Sequence, residues 1–344
     1  MDSRERVVRA IEFDGPDKVP NGCYWLPGAL KKHGQKLINL FVEYPRDFAD
    51  FLGKVHRYWR LNLYEQGVYV DPWGCVWKNA QPGLVGMVVG HPLRNATLEE
   101  IKKYEPPIPF KLLDFDELRN IIKKNGHEKY LLGDGEHLFQ RLFWLRGFEK
   151  TLMDITSESP ELSVLLDKLL KHKFDFIKQW SELDIDGVIF YDDWGTNYGL
   201  MIRPLLWRKY FKPCYKKMFE LVHKAGKHVF FHSDGNVLDI IPDLIEIGVD
   251  ALNVQVSLID IDILSERFGG KVCFLSDIDR QRLLPFGTPK EIERHVKYLI
   301  RKLGNFNGGL ISWGEINVDV PLENAKAMLR AFNKFGSYPI NIAK

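Results

Sequence analysis

The sequence predicts a (β/α)8 TIM barrel with an N-terminal helical extension, on three observations. Eight short apolar runs are spaced along the chain, and nearly all are followed by a helical pattern. The later runs are continuous rather than alternating, as expected of strands buried on both faces. Polar, chemistry-bearing residues sit consistently just after these runs, where a barrel gathers its loops around one cavity. The 344 residues suit one large barrel, read as a single domain over 1–344, or two ordinary domains. An open doubly wound sheet is the competing architecture, but no Gly-x-Gly-x-x-Gly turn recommends it.

Residues 4–13 read as a short helix, the extension, closed by Gly15-Pro16-Asp17-Lys18-Val19-Pro20, whose prolines deny it continuation. Residues 21–25 are the first strand, and 28–40 and 45–52 read as helices. Residues 67–77 alternate with period two around a turn at Pro72 and supply the second strand. Residues 81–107, rich in Gly and Pro, read either as an insertion or lid or as an ordinary surface excursion. From there helix 115–124 leads to strand 130–135, and helices 148–155 and 160–183 lead to strand 187–193. Helix 204–225 leads to strand 228–232, helix 237–247 to 251–255, helix 261–268 to 272–277 and helix 289–303 to 309–315. Helix 321–335 closes the set. A local echo supports a repeated unit: Glu182 to Asp186 and Glu246 to Asp250 both run from a helix end into a strand.

Composition narrows the function. With 45% hydrophobic and 27% charged residues the chain has material for a large core. A net charge of +2 with no basic block argues against nucleic acid as the main ligand. The charged start, Met1 to Arg6, is no secretory signal, and no apolar run approaches the roughly 20 residues that span a bilayer. Cys23, Cys75, Cys214 and Cys273 are scattered, which fits a reducing cytoplasm and argues against a disulfide framework. Trp25, Trp73, Trp194 and Trp313 all lie near strand ends. Any one of them alone reads as packing, but four at one end suggest an apolar or aromatic ligand pocket.

The stretch from His228 to Asn236 carries the sharpest signal: an apolar run breaks into His232-x-Asp234-Gly235-Asn236 and a helical pattern follows. Taken singly it also reads as a turn and helix cap. The other strand ends add Asp134, Glu136 and His137; Tyr191, Asp192 and Asp193; Asn253 and Gln255; Asp277 and Asp279; and Glu315. Converging acids, amides and imidazoles form a metal or acid/base site. His232, Asp234 and Glu315 are the best ligand trio, suited to Zn²⁺ with an open position and also to Mn²⁺ or Fe²⁺. Asp192 and Asp193 are neighbours whose side chains diverge, so they are not read as a dyad.

These residues resemble the uroporphyrinogen decarboxylase superfamily, nearest to its corrinoid-dependent methyltransferase branch, which includes the methylcobalamin:coenzyme M enzymes. The likeness runs from Arg4-Glu5-Arg6 and Pro16 to Pro20, through Asp71 to Trp77, Phe190 to Gly195 and Pro204 to Pro213. It continues through Gly226 to Asn236, Gly248 to Leu252, Asp279-x-Gln281 with Gly287 to Pro289, and Pro321 to Ala327. The resemblance implies the barrel fold. The departures bear on the branch. The haem-pathway decarboxylases carry an arginine after the first strand, where this chain reads Cys23 to Ala29 without one, and a histidine where this chain has Glu315. The thiol-methylating members use His-x-Cys and a distant Cys as zinc ligands; here these become His232-x-Asp234 and Glu315.

Oxygen donors leave a metal more Lewis acidic than thiolates do, which favours an oxygen over a soft thiol. The expectation is therefore O-demethylation: a methyl group leaves a methoxylated, by preference aromatic, substrate for the Co(I) corrinoid of a partner protein. Asp192, Asp193 or Tyr191 would supply or orient a proton, and Trp25, Trp73, Trp194, Asn253 and Trp313 would bind substrate. A homodimer stays open. The rivals are a decarboxylase-like lyase, a metal-assisted hydrolase and a barrel that only binds a small molecule.

Overall fold

In the computed structural model, residues 1–49, 64–108, 114–125 and 128–342 are described. The early strands are β1 (Tyr24–Trp25), β2 (Gly67–Val70), β3 (Val76–Asn79) and β4 (Met87–Gly90). They are followed by β5 (Leu132–Glu136), β6 (Gly187–Tyr191), β7 (His228–Ser233), β8 (Ala251–Val254), β9 (Cys273–Ser276), β10 (Leu310–Ser312) and β11 (Glu315–Ile316). Six of them form one sheet in the order β10-β9-β8-β7-β6-β5, parallel throughout. A helix precedes or follows each of these strands and packs on the outside, as parallel pairing demands.

The barrel is closed by shorter pairings. β1 runs parallel to β11, and Asn21 bridges Ser312 at the end of β10. Asp47 N–H donates to Asn21 O at 2.8 Å, Tyr130 N–H to Asp47 O at 2.9 Å and Ala49 N–H to Tyr130 O at 3.0 Å. Residues 47–49 are thus the second element of the wall, and the expected (β/α)8 barrel is the observed fold.

Two expectations about the wall change. The run 67–77 does not enter the wall; β2, β3 and β4 make a separate antiparallel sheet. Its alternation was the clue, because period two marks a sheet with one wet face, whereas wall strands such as β5, β8 and β9 are buried at every position. Residues 45–49 are extended, not helical; 50–52 lie outside the described residues. Asp47 is held at the wall by Arg6 Nη1 at 2.6 Å and by Asn21 N–H at 2.6 Å, which fixes this segment without any sequence period.

The core has two layers. Inside the barrel, Ile189, Phe230, Ala251, Leu275 and Ile311 meet Val7, Ala10 and Ile11 of helix Ser3–Ile11. That helix, capped by the Asp2 side chain on Glu5 N–H, seals the amino-terminal end of the barrel. Outside, Val188, Phe190, Val229, Phe231 and Leu252 pack against the helices. The longest of these, Pro160–Ser181, begins with Ser159 as its cap and Pro160 in its first turn, and buries Leu162, Leu165, Leu166 and Leu169 at helical spacing. The expected helix 204–225 is two, Pro204–Tyr210 and Lys212–Lys224, since Pro213 cannot donate an N–H and crowds the preceding turn. No helix among the described residues is long and apolar enough to cross a membrane.

Candidate functional site

Strand register builds the site. Ile189, Phe230 and Ala251 lie side by side across β6, β7 and β8 and point into the barrel. Two residues further on, with the same facing, come Tyr191, His232 and Asn253. The apolar plug therefore ends in a polar layer at the carboxyl end of the strands.

His232 is held there in a defined tautomer. Asn253 Nδ2 donates to Leu275 O at 2.7 Å, which turns Asn253 Oδ1 toward His232 Nδ1 at 2.5 Å. An amide oxygen only accepts, so Nδ1 carries the hydrogen and, in the neutral ring, Nε2 presents a lone pair. Nε2 lies 3.5 Å from Asp193 Oδ1 and 3.5 Å from Asp234 Oδ1. One ligand atom from each of Asp193, His232 and Asp234 falls within 4.8 Å of the others. Asp193 is itself positioned, since its Oδ1 accepts from Asp234 N–H at 2.9 Å and its Oδ2 from Gln140 Nε2 at 2.8 Å. The two loops can meet because Gly235 has φ +83° and packs on Gly195, where a Cβ would fall 2.1 Å from the Gly195 carbonyl carbon.

The charges follow from this packing. Burial opposes a charged imidazole, but Asp193 and Asp234 outweigh it and push His232 up to about 9. Burial likewise opposes the Asp193 carboxylate, and His232 outweighs it, bringing Asp193 down to about 2.

Glu315 reaches the same cavity by a different contact. Arg280, just past β9, pairs with Asp234 Oδ1, while its Nη1 lies 3.5 Å from Glu315 Oε1 and its Nε 3.2 Å from Asp277 Oδ2. The Tyr24 hydroxyl donates to Glu315 Oε2 at 2.8 Å. Burial pushes Asp277 up to about 7, against the pull of Arg280. Asp193, rather than Glu315, completes the group of three with His232 and Asp234, and a guanidinium stands between Glu315 and that group.

Several residues take positions that the sequence did not foretell. Asp192 is turned away from the cavity: its carboxylate accepts from Leu138, Phe139 and Gln140 N–H at 2.7 to 3.0 Å and from the Tyr215 hydroxyl at 2.6 Å. It caps helix Phe139–Arg146, an element absent from the sequence reading, because adjacent strand residues face opposite ways. Trp194 is fully buried and stacked on Phe139 at 4.0 Å. Trp73 is buried against Arg141 at 4.3 Å and His172 at 4.6 Å. Neither lines the cavity, and Asn253 serves His232 instead of facing a ligand; Trp25, Tyr191 and Trp313 do line it. Sequence reasoning missed Gln140, Trp77, Trp144 and Arg280. Only Arg280 had a visible signal, as the cation that directly follows Asp277 and Asp279 at a strand end.

The cavity holds about 1010 Å³ and is aromatic on several sides, with Tyr24, Trp25, Trp77, Trp144 and Trp313 among its walls. Its carboxylates are those of Asp134, Glu136, Asp193, Asp234 and Glu315; facing them are the guanidiniums of Arg46, Arg141 and Arg280 and the His232 imidazole, while Lys173 pairs with Glu136 from behind. A second hollow of about 530 Å³ along helix Pro289–Leu303 shares no residue with the strand ends. At the far side Glu136, with φ 55°, receives Lys173 Nζ from the long helix, and His172 Nε2 stands 3.7 Å away.

Comparison with known proteins gives a consistent frame. A family model described as "Uroporphyrinogen decarboxylase (URO-D)" matches residues 84–335. A uroporphyrinogen decarboxylase of Pseudoalteromonas atlantica is 23% identical over 203 residues, covering 56% of this chain and 53% of that protein. One of Cronobacter sakazakii is 28% identical over 191 residues, covering 53% of this chain and 50% of that protein. The chain spans about half the length of the curated relatives it matches. A solved methyltransferase from Methanosarcina mazei superposes with a TM-score of 0.72 at 17% identity, over 97% of this chain and 99% of that one; it shares the fold.

Proposed function

This chain belongs to the uroporphyrinogen decarboxylase family, and within it we propose that the protein is a metal-dependent methyltransferase acting on aromatic methyl ethers. The methyl group passes to the Co(I) corrinoid of a partner protein. One observation carries the reading: the Asp193–His232–Asp234 group stands at the wall of a cavity of about 1010 Å³ lined by tyrosines and tryptophans.

The donor set fits a divalent ion. Two carboxylates and an imidazole whose lone pair is aimed at them suit Zn²⁺, Mn²⁺ or Fe²⁺ with open positions. When bound, the metal supplies Lewis acidity to the ether oxygen and the corrinoid supplies the nucleophile for the methyl carbon. This chain's residues do the rest. Asn253 orients His232, and Gln140 holds Asp193. Asp193, with a value of about 2, stays a carboxylate and does not act as the acid. Tyr191, whose ring lies 6.0 Å from that of His232, hydrogen-bonds the departing oxygen. Trp25 and Trp313 bind the arene and exclude water, and Val85, Gly86, Met87 and Val88 of the 81–107 segment add to the cavity wall.

The test combines metal content with turnover. Purified protein is expected to hold about one divalent ion, and with a methoxylated benzene and free Co(I) cobalamin to consume the Co(I) absorbance in step with phenol release. Metal-bound protein that leaves methyl ethers intact would discard the substrate class; protein that takes up no metal would discard the mechanism.

The protonation state of His232 makes a second expectation. A metal must displace the Nε2 proton, which leaves only above about 9 in the free protein. Apparent affinity for Zn²⁺ is therefore expected to rise about ten-fold per pH unit from pH 6 to 8 and to level near 9. Competition against a chromogenic chelator measures it; a flat profile would mean that His232 is not a ligand.

A further inference from the structure

Arg280 touches the candidate ligands without being able to bind a metal itself. It stands between the two carboxylates that a wider metal site would share, pairing with Asp234 Oδ1 on one side and lying 3.5 Å from Glu315 Oε1 on the other. Its Nε is 3.2 Å from Asp277 Oδ2, so one guanidinium faces three acids. His232 Nε2 also faces Asp234 Oδ1, at 3.5 Å, so Asp234 is shared between the imidazole and the guanidinium. Asp277 is 5% exposed, and its Oδ1 has no hydrogen-bond partner among the described residues. Arg280 is itself mostly buried, with 21% of its side chain exposed, so its charge acts through a poorly screened medium.

An arginine so placed cannot be neutralised to make room for a metal, because its proton does not leave at any physiological pH. It contributes a fixed positive charge beside an ion of charge +2 and occupies one oxygen of Asp234. It also ties down Glu315, which Tyr24 holds from the other side.

We propose that Arg280 is a built-in counter-cation of the metal centre: it competes with the divalent ion for Asp234, withholds Glu315 from coordination, and so keeps the site weak and open. The consequence is a three-ligand site with room for a substrate oxygen, in place of a closed four-ligand site of the structural kind. This rests on the metal reading above and adds to it a determinant of affinity and openness.

The experiment is titration of the full-length, metal-stripped protein with Zn²⁺ alone, read by chelator competition and calorimetry, for wild type, Arg280→Gln, Arg280→Lys, Glu315→Gln and the Arg280→Gln, Glu315→Gln pair. Arg280→Gln is expected to bind Zn²⁺ at least ten-fold more tightly. Arg280→Lys, which keeps the charge and guards against a folding defect, is expected to stay within about three-fold of wild type. Glu315→Gln is expected to change little in the wild-type background and to remove most of the gain in the Arg280→Gln background, the non-additivity that marks coupled residues. Equal or weaker binding by Arg280→Gln, or tight binding by Arg280→Lys, overturns the proposal while leaving the metal reading intact. Uptake by Arg280→Gln but not by wild type keeps the proposal and removes the metal from the native mechanism. Uptake by neither removes both.

Discussion

His232→Ala is expected to empty the metal site. The imidazole is the one donor in the group that is neutral when it binds, and its loss leaves only the carboxylates of Asp193 and Asp234 as ligands in the group. Affinity for Zn²⁺ is expected to fall by more than the roughly 10- to 100-fold typical of losing a residue that only orients a ligand. Asn253→Leu should show that smaller loss, because it leaves His232 in place but frees the ring to rotate and choose its other tautomer. His232 sits above the apolar plug, so its loss leaves the core intact, but it removes the imidazole that offsets the burial of the Asp193 carboxylate, and a lower melting temperature is expected beside the loss of metal. Elemental analysis of wild type and the two variants gives the order. Full metal content in His232→Ala would refute this ligand assignment outright.

Lys173→Met is expected to destabilise the protein by about 3–5 kcal/mol, the range for breaking a buried ion pair from one side. Lys173 is fully buried on helix Pro160–Ser181 and its ammonium is donated to Glu136, which is 4% exposed. Burial works against the Glu136 carboxylate, yet Lys173, with help from His172 and Arg141, holds it well below the usual carboxylate range. A folded value below the unfolded one gives stability that is present above the unfolded value of about 4.3 and is lost as pH falls through the folded value. In Lys173→Met the carboxyl is left buried without its main partner, so the deficit is largest near neutral pH and shrinks as acid protonates it. Adding Glu136→Gln removes the stranded charge and is expected to recover more than half of the loss. Urea unfolding at pH 7 and pH 4.5 measures both effects. A deficit below about 1 kcal/mol would show that the pair behaves as though solvent-exposed.

How much of this was legible varies from element to element. Helix Ile261–Phe268 and helix Pro289–Leu303 fall on the boundaries read from the sequence, since apolar period, the cap at Asp260 and the capping box at Thr288 are local signals. The wall element at 47–49 was invisible: it is made by three backbone bonds and by the grip of Arg6 and Asn21 on Asp47, none of which leaves a period. The alternating run at 67–77 was legible as strand but misplaced, because alternation reports one wet face and not which sheet receives it. Asp192 and Asp193 look alike in sequence, and only the facing of β6 sends the first to a helix cap and the second to His232.

The sequence alone determined the barrel fold, most of the strands and helices from residue 130 onward and the end of the strands where the polar residues gather. Those properties depend on residues within a turn or two of one another. Tertiary structure alone decided which carboxylate stands beside His232, that two of the four tryptophans belong to the core, and that Arg280 sits among the acids. Asp193 and Arg280 lie 41 and 46 residues from Asp234, and parallel strand register is what brings them within bonding distance. A pairing across the barrel leaves no period in the chain, so no local pattern could have named these partners.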